Sequence, residues 1–192
     1  MTKYKWHRLK RRHAVGALVL ACTIVWINSV AAQNINVSGT PVAEMEDESL
    51  IVTTQFEISL TPMLEEALQK GIPLYFVREF ELSRLRWYWL DDVVITSGQI
   101  WRLDYHALTR QYRLSSGLFH QNVNALEDAL RLLQRAQSWR VADRHTIPKG
   151  NFEARVRLRF DPSRLPTPLQ LNALSQKEWT LTSEWTRWAV TF

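Results

Sequence analysis

FEARVRLRFD, residues 152–161, alternates without a break. Phe152, Ala154, Val156, Leu158 and Phe160 fall in one phase, and Glu153, Arg155, Arg157, Arg159 and Asp161 in the other. Successive strand side chains point to opposite faces, so this pattern specifies a strand with one buried and one solvated face. The period recurs upstream. Leu50, Val52, Phe56, Ile58 and Leu60 oppose Thr53, Gln55, Glu57 and Ser59. Ile72 to Leu82 reads as a strand that is apolar on both faces near its start. Val93–Tyr105 places Val93, Ile95, Trp101, Leu103 and Tyr105 on one face, with Gly98 marking a bulge. Gln111–Ser115 pairs back onto it across the short ALTR turn, and Glu178–Thr182 and Trp185–Phe192 supply the last strands.

Two helices interrupt the strands. Thr61 caps the first, Pro62 suits its first position, Glu65 and Glu66 lie at its positive end, and Gly71 closes it. The second runs from about Ala125 to Gln137, with Asn124 and Glu127 as a capping box and Leu126, Leu130 and Leu133 as its apolar stripe. ADRHTIPKGN reads as a polar loop and DPSRLPTP as an extended connector. Strands joined by short turns, with two α-helices inserted, predict an α+β fold, mainly an antiparallel β-sheet or sandwich. The lack of strand–helix alternation argues against a doubly wound α/β fold.

The first 32 residues belong to a different kind of segment. Lys3, Lys5, Arg8, Lys10, Arg11 and Arg12 precede an unbroken apolar run, Ala14–Ile27, and Val30-Ala31-Ala32 follows Asn28 and Ser29. Basic region, apolar core and small-residue exit compose a secretory signal cleaved after Ala32. The alternative is a retained anchor, although spanning a bilayer takes about 20 apolar residues and this core has 14. Residues 1–32 are thus expected to be a signal peptide and 33–192 a single exported domain, periplasmic or held at the inner membrane by an uncleaved N-terminus.

Removal of this segment changes the meaning of the composition. The chain has 24 basic and 19 acidic residues, but residues 33–192 hold 18 basic against 19 acidic. The basic pI is therefore an export feature and gives no support to nucleic-acid binding. The single cysteine, Cys22, leaves with the signal, so the exported domain has neither disulfide nor thiol nucleophile. Of the 18 basic residues, only Lys70, Lys149 and Lys177 are lysines, and seven tryptophans remain. Arginine and tryptophan serve planar hydrogen bonding and stacking; an arginine-rich genome yields the same bias.

Four patterns are candidates for chemistry. Arg155, Arg157 and Arg159 project from one strand face at intervals of about 6.6 Å. They form either a comb for phosphates or carboxylates or one side of cross-strand pairs with glutamates. Arg84, Arg86, Trp87 and Trp89 lie together in SRLRWYWLDD, as an exposed anchor for a partner or as a plug for the end of the sheet. His106 and His145 each follow an aspartate by two residues, Asp104 and Asp143, an arrangement in which the carboxylate can orient an acid–base histidine. Asp91-Asp92 is either a cation ligand pair or a solvated turn. No HExxH, GxSxG or phosphate loop is present. No catalytic residue, metal or cofactor is assigned.

The blocks EEALQKGIPLYF (65–76), RWYW (86–89), YHALTRQYRL (105–114), WRVADR (139–144) and NAL…WTLTSEW (172–185) together resemble the DUF4390 family of exported, chiefly proteobacterial proteins. The resemblance implies a Gram-negative envelope location and no defined activity. Family members encoded beside a nitrogen-regulation-type sensor kinase pair imply a partner in envelope signalling. The expectation is a non-enzymatic envelope protein that binds another protein, a membrane sensor kinase among the candidates. The alternatives are a binder of an anionic envelope lipid or polymer, and a periplasmic hydrolase.

Overall fold

The computed structural model describes residues 35–84 and 92–192. Among the described residues, nine strands form two antiparallel sheets. β1 (Ile35–Glu46), β2 (Ser49–Ile58) and β7 (Gln137–Asp143) make a three-stranded sheet in the order β1-β2-β7. β3 (Leu74–Arg84), β4 (Asp92–His106), β5 (Gln111–Ser116), β6 (Phe119–Val123), β8 (Asn151–Phe160) and β9 (Thr186–Thr191) make a six-stranded sheet in the order β6-β5-β4-β3-β8-β9. Three α-helices accompany them among the described residues: α1 (Pro62–Gln69), α2 (Leu126–Gln134) and α3 (Thr167–Ser175). The fold is α+β and mostly antiparallel β, as the alternation predicts.

The two sheets share one apolar core. Leu50, Val52 and Phe56 of β2 face the same cluster as Phe76, Phe80 and Leu82 of β3 and Ala154, Val156 and Leu158 of β8, all of them fully buried. Large side chains from two inner faces interdigitate here, and removal of their apolar area from water is the main stabilising term. Thr61 starts α1 by accepting from the Leu64 N–H at 3.2 Å, and its hydroxyl donates to the Glu178 carbonyl at 2.7 Å. Gly71, at φ +80°, ends the helix in the left-handed region where a Cβ would be strained.

Several elements depart from the sequence reading. β1, β6 and β7 are strands without an expected counterpart. β1 breaks register between Ser38 and Val42, with Gly39 at φ +75°, so its alternation is broken. α2 ends at Gln134, and Gln137, expected to finish it, instead begins β7, where it pairs with Thr54 of β2. Sheet pairing has there overridden local helix preference. Ala125, without a side-chain bond, is the N-cap of α2, while the Asn124 Oδ1 accepts from Gln111 Nε2 at 3.3 Å. The Pro-rich connector holds a 3-10 turn (Pro162–Arg164) and α3. Pro162 and Pro168 fall in first turns, where a missing N–H costs nothing, and the carbonyl of Pro166, just before α3, accepts from the Leu169 N–H. Residues 177–179 form a 3-10 turn instead of a strand, leaving one bridge between Thr182 and Arg159. Gly98 pairs in register with Glu79; the irregularity lies nearer the end of β3, between Leu82 and Ser83. Among the described residues, no helix is long and apolar enough to cross a membrane.

Candidate functional site

β3 and β8 are neighbours, and their register places Arg155 beside Glu81, Arg157 beside Glu79 and Arg159 beside Val77. The outer face of the six-stranded sheet therefore carries an arginine row opposite a glutamate row. Arg155 forks onto Glu81, its Nε donating to Oε2 at 2.9 Å. Glu79 accepts from two arginines at once, from Arg157 Nε at 2.5 Å and from Arg159 Nε at 2.8 Å. Asp161 extends the chain of charges, 3.4 Å from Arg159 Nη1 and accepting from Arg164 Nε at 3.2 Å and Ser163 Oγ at 2.7 Å.

Trp185, just before β9, completes this surface. Its ring lies 4.8 Å from the Arg155 guanidinium and 4.4 Å from that of Arg157. The arginine side chains are about a third exposed: 28%, 32% and 31% for Arg155, Arg157 and Arg159. Partial desolvation of that kind strengthens charge-assisted bonds relative to fully wetted ion pairs. Burial raises the Glu79 pKa, but the bonds from Arg159 and Arg157 outweigh it and hold the carboxyl below its ordinary 4.5. Burial likewise opposes ionisation of Asp161, and Ser163 and Arg159 outweigh it.

The charges do not close. Four guanidiniums, those of Arg155, Arg157, Arg159 and Arg164, meet three carboxylates, those of Glu79, Glu81 and Asp161. One positive charge is in excess. Within the described residues Arg157 is hydrogen-bonded through Nε alone, which leaves its terminal nitrogens for a further acceptor. Beside it lies an open groove of about 300 Å3, lined by Arg157, Arg159, Trp179, Thr180 and Thr182 among others. Guanidiniums, hydroxyls and an indole on an open surface can dock a carboxylate- or phosphate-bearing partner.

The other candidates lie apart from this network. Arg84, at the end of β3, places its guanidinium 5.4 Å from the ring of the core residue Phe152. Arg86, Trp87 and Trp89 lie outside the described residues, as does Asp91. Asp104 is bound by Arg102 through Nε at 3.0 Å and Nη2 at 2.8 Å, and Asp143 pairs with Arg140. Neither aspartate bonds to its histidine; exposed His145 sits in the 3-10 turn Arg144–Thr146. Among the described residues, no three His, Cys, Asp or Glu side chains cluster as a metal site.

The sequence reading missed Trp185, Arg164 and Asp161 as members of the site, and it missed Arg78 altogether. Arg78 is in phase with Phe76 and Phe80, and this was the available signal: a cation on the apolar face of a strand. It is fully buried. Its Nη2 donates to the Leu133 carbonyl at 2.7 Å, and its guanidinium lies 5.4 Å from both the Phe56 and the Trp101 rings. Burial lowers its pKa to about 10, so it remains charged at neutral pH.

The family model described as a domain of unknown function (DUF4390) matches residues 32–189. No curated protein and no solved structure matches the chain.

Proposed function

This chain belongs to the DUF4390 family, and from that premise we propose that it is an exported, non-enzymatic envelope protein that binds a partner protein through the outer face of its six-stranded sheet. One observation carries the reading: Trp185 lies against the guanidiniums of Arg155 and Arg157 on a face with a cation in excess. Arginine and tryptophan are the side chains that most often dominate interface energy. A partner offering carboxylates engages the terminal nitrogens of Arg157 while its apolar atoms cover the indole. Export rests on the basic, apolar and small-residue order of residues 1–32, which delivers the domain to the periplasm. The extracytoplasmic part of a membrane sensor kinase is one partner of the required kind.

In-cell crosslinking of the C-terminally tagged protein tests the reading. The expected result is one dominant envelope protein captured by a chain that begins at Gln33, with capture lost in Arg157→Ala and Trp185→Ala while thermal unfolding is little changed. Capture that survives both substitutions but fails in the Arg86→Ala, Trp87→Ala, Trp89→Ala triple variant would move the interface to the 85–91 connector.

A second reading is favoured by the groove beside Arg157 and Arg159, whose threonine hydroxyls suit an anionic lipid head group or polymer. Exposed charge-assisted binding weakens with salt. Retention on anionic vesicles that falls with ionic strength in wild type and is absent from Arg157→Ala supports it; retention independent of salt rejects it.

A further inference from the structure

β5 and β6 are joined by the two-residue turn Gly117-Leu118, with Gly117 at φ +57°. Ser116 and Phe119 close that turn as a hydrogen-bonded pair, and bonded pairs then alternate along the ladder. His120 and Asn122 accordingly turn their N–H and C=O away from β5. β6 is the terminal strand of its sheet, and its first four residues are exposed.

Protein sheet edges are ordinarily guarded against further pairing by bulges, prolines or charges. β1 carries a register break around Gly39 to Pro41 and then Glu44 and Glu46. β7 carries Arg140 and Asp143, and β9 carries Arg187. β6 reads Phe-His-Gln-Asn-Val in regular register, with no Lys, Arg, Asp, Glu or Pro. Leu118 and Phe119 at its start are exposed apolar residues, at 100% and 43%.

A second feature adjoins this edge. Between β6 and α2 runs an open groove of about 310 Å3, lined by Gln121 and Val123 of the strand and by Asp128, Arg131 and Leu132 of the helix, with Arg135 at its end. Arg131 pairs with Asp128, whereas the Arg135 side chain has no hydrogen-bond or ionic partner among the described residues. The groove thus combines an apolar floor, from Val123 and Leu132, with one excess positive charge.

We propose that the β6 edge and the β6–α2 groove receive an extended segment of a partner protein whose inward-facing positions, every second residue, are apolar and then acidic. The segment adds as a further strand, its main chain bonding to His120 and Asn122. Its side chains on the inner face enter the groove, and a carboxylate reaches Arg135. Main-chain bonds supply affinity in such strand addition, and the pocket for alternate side chains supplies specificity. This site is separate from the arginine row and goes beyond the reading given for it.

A fluorescently labelled decapeptide, Thr-Val-Thr-Val-Thr-Val-Thr-Glu-Thr-Glu, titrated against the purified protein by polarisation, tests the proposal, with the same peptide carrying lysine in place of glutamate as control. Wild type is expected to bind the first and not the second. His120→Pro, which removes an outward N–H, abolishes binding. Arg135→Glu weakens it by about tenfold, the scale of one exposed-to-partly desolvated ion pair, and raises affinity for the lysine peptide. Arg157→Ala leaves the peptide affinity unchanged, so failure here is distinguishable from failure of the outer-face reading. If His120→Pro unfolds, Arg135→Glu decides, since its exposed wild-type side chain has no hydrogen bond or ion pair to lose among the described residues. Absence of glutamate-peptide binding by wild type, or equal binding by wild type and Arg135→Glu, overturns the proposal. So does a wild-type dimer that His120→Pro converts to monomer, because a second copy would then occupy the edge.

Discussion

At the residue scale the molecule contains two very different uses of arginine. Arg155, Arg157 and Arg159 lie on a half-solvated face and share two glutamates, so their charges are offset without full desolvation. Arg78 lies in the core with no carboxylate partner among the described residues, held by the Leu133 carbonyl, the Gln137 side-chain oxygen and two aromatic rings. A planar, weakly hydrated guanidinium tolerates that position better than a compact ammonium does. Arg78→Lys is therefore expected to cost about 2 kcal/mol, the scale of a lost hydrogen bond to a charged group, seen as a lower urea midpoint. An unchanged midpoint would show that charge alone, and not guanidinium shape, is what the core accommodates. The arginine row was legible from ten consecutive residues. Arg78 was visible only as an exception to the pattern, because burial of a cation depends on the Leu133 carbonyl and the aromatic rings that surround it, none of them near in sequence.

At the element scale, locally coded signals survived and non-local ones did not. α1 follows its cap, its proline and its closing glycine, all within eleven residues of one another. Thr61 also ties the helix to the 3-10 turn at 177–179 through the Glu178 carbonyl. Thr61→Ala should destabilise by about 1 kcal/mol, a fall in Tm of about 2–4 °C for a domain of this size, and Thr61→Ser should restore most of it. No change in Tm would mean that the cap is satisfied by water without loss. α2 shows the converse. Its C-terminal carbonyl at Leu133 faces the Arg78 cation, a favourable placement against the helix dipole. Its end is set by where β7 must start to pair with β2, and nothing inside residues 125–137 encodes that partner. β1 and β6 escaped notice for related reasons: β1 is broken by a bulge, and β6 is too short and too polar to show a period.

At the scale of the whole molecule, the outer-face network links stability to pH. Glu79 and Asp161 both ionise more readily when folded than their ordinary values of 4.5 and 3.8. A depressed carboxylate pKa contributes stability that is fully present above the ordinary value and is lost as pH falls through the lower folded one. Urea unfolding is thus expected to show a midpoint that is level near neutrality and declines below about pH 4.5, the ordinary Glu79 value. Glu79→Gln should unfold more easily at neutral pH and lose less on acidification; a decline as steep as that of wild type would assign the acid sensitivity to other groups. By itself the sequence determined the α+β, mainly antiparallel class, the family, the first helix, the buried and solvated faces of β8, and the arginine row, because each is written in neighbouring residues as a period, a cap or a motif. Only the tertiary structure decided which strands are neighbours. Strand order pairs residues about 80 positions apart, as Glu79 with Arg159, and the energy that selects those pairs comes from burying two inner faces together, a property no local stretch of chain possesses.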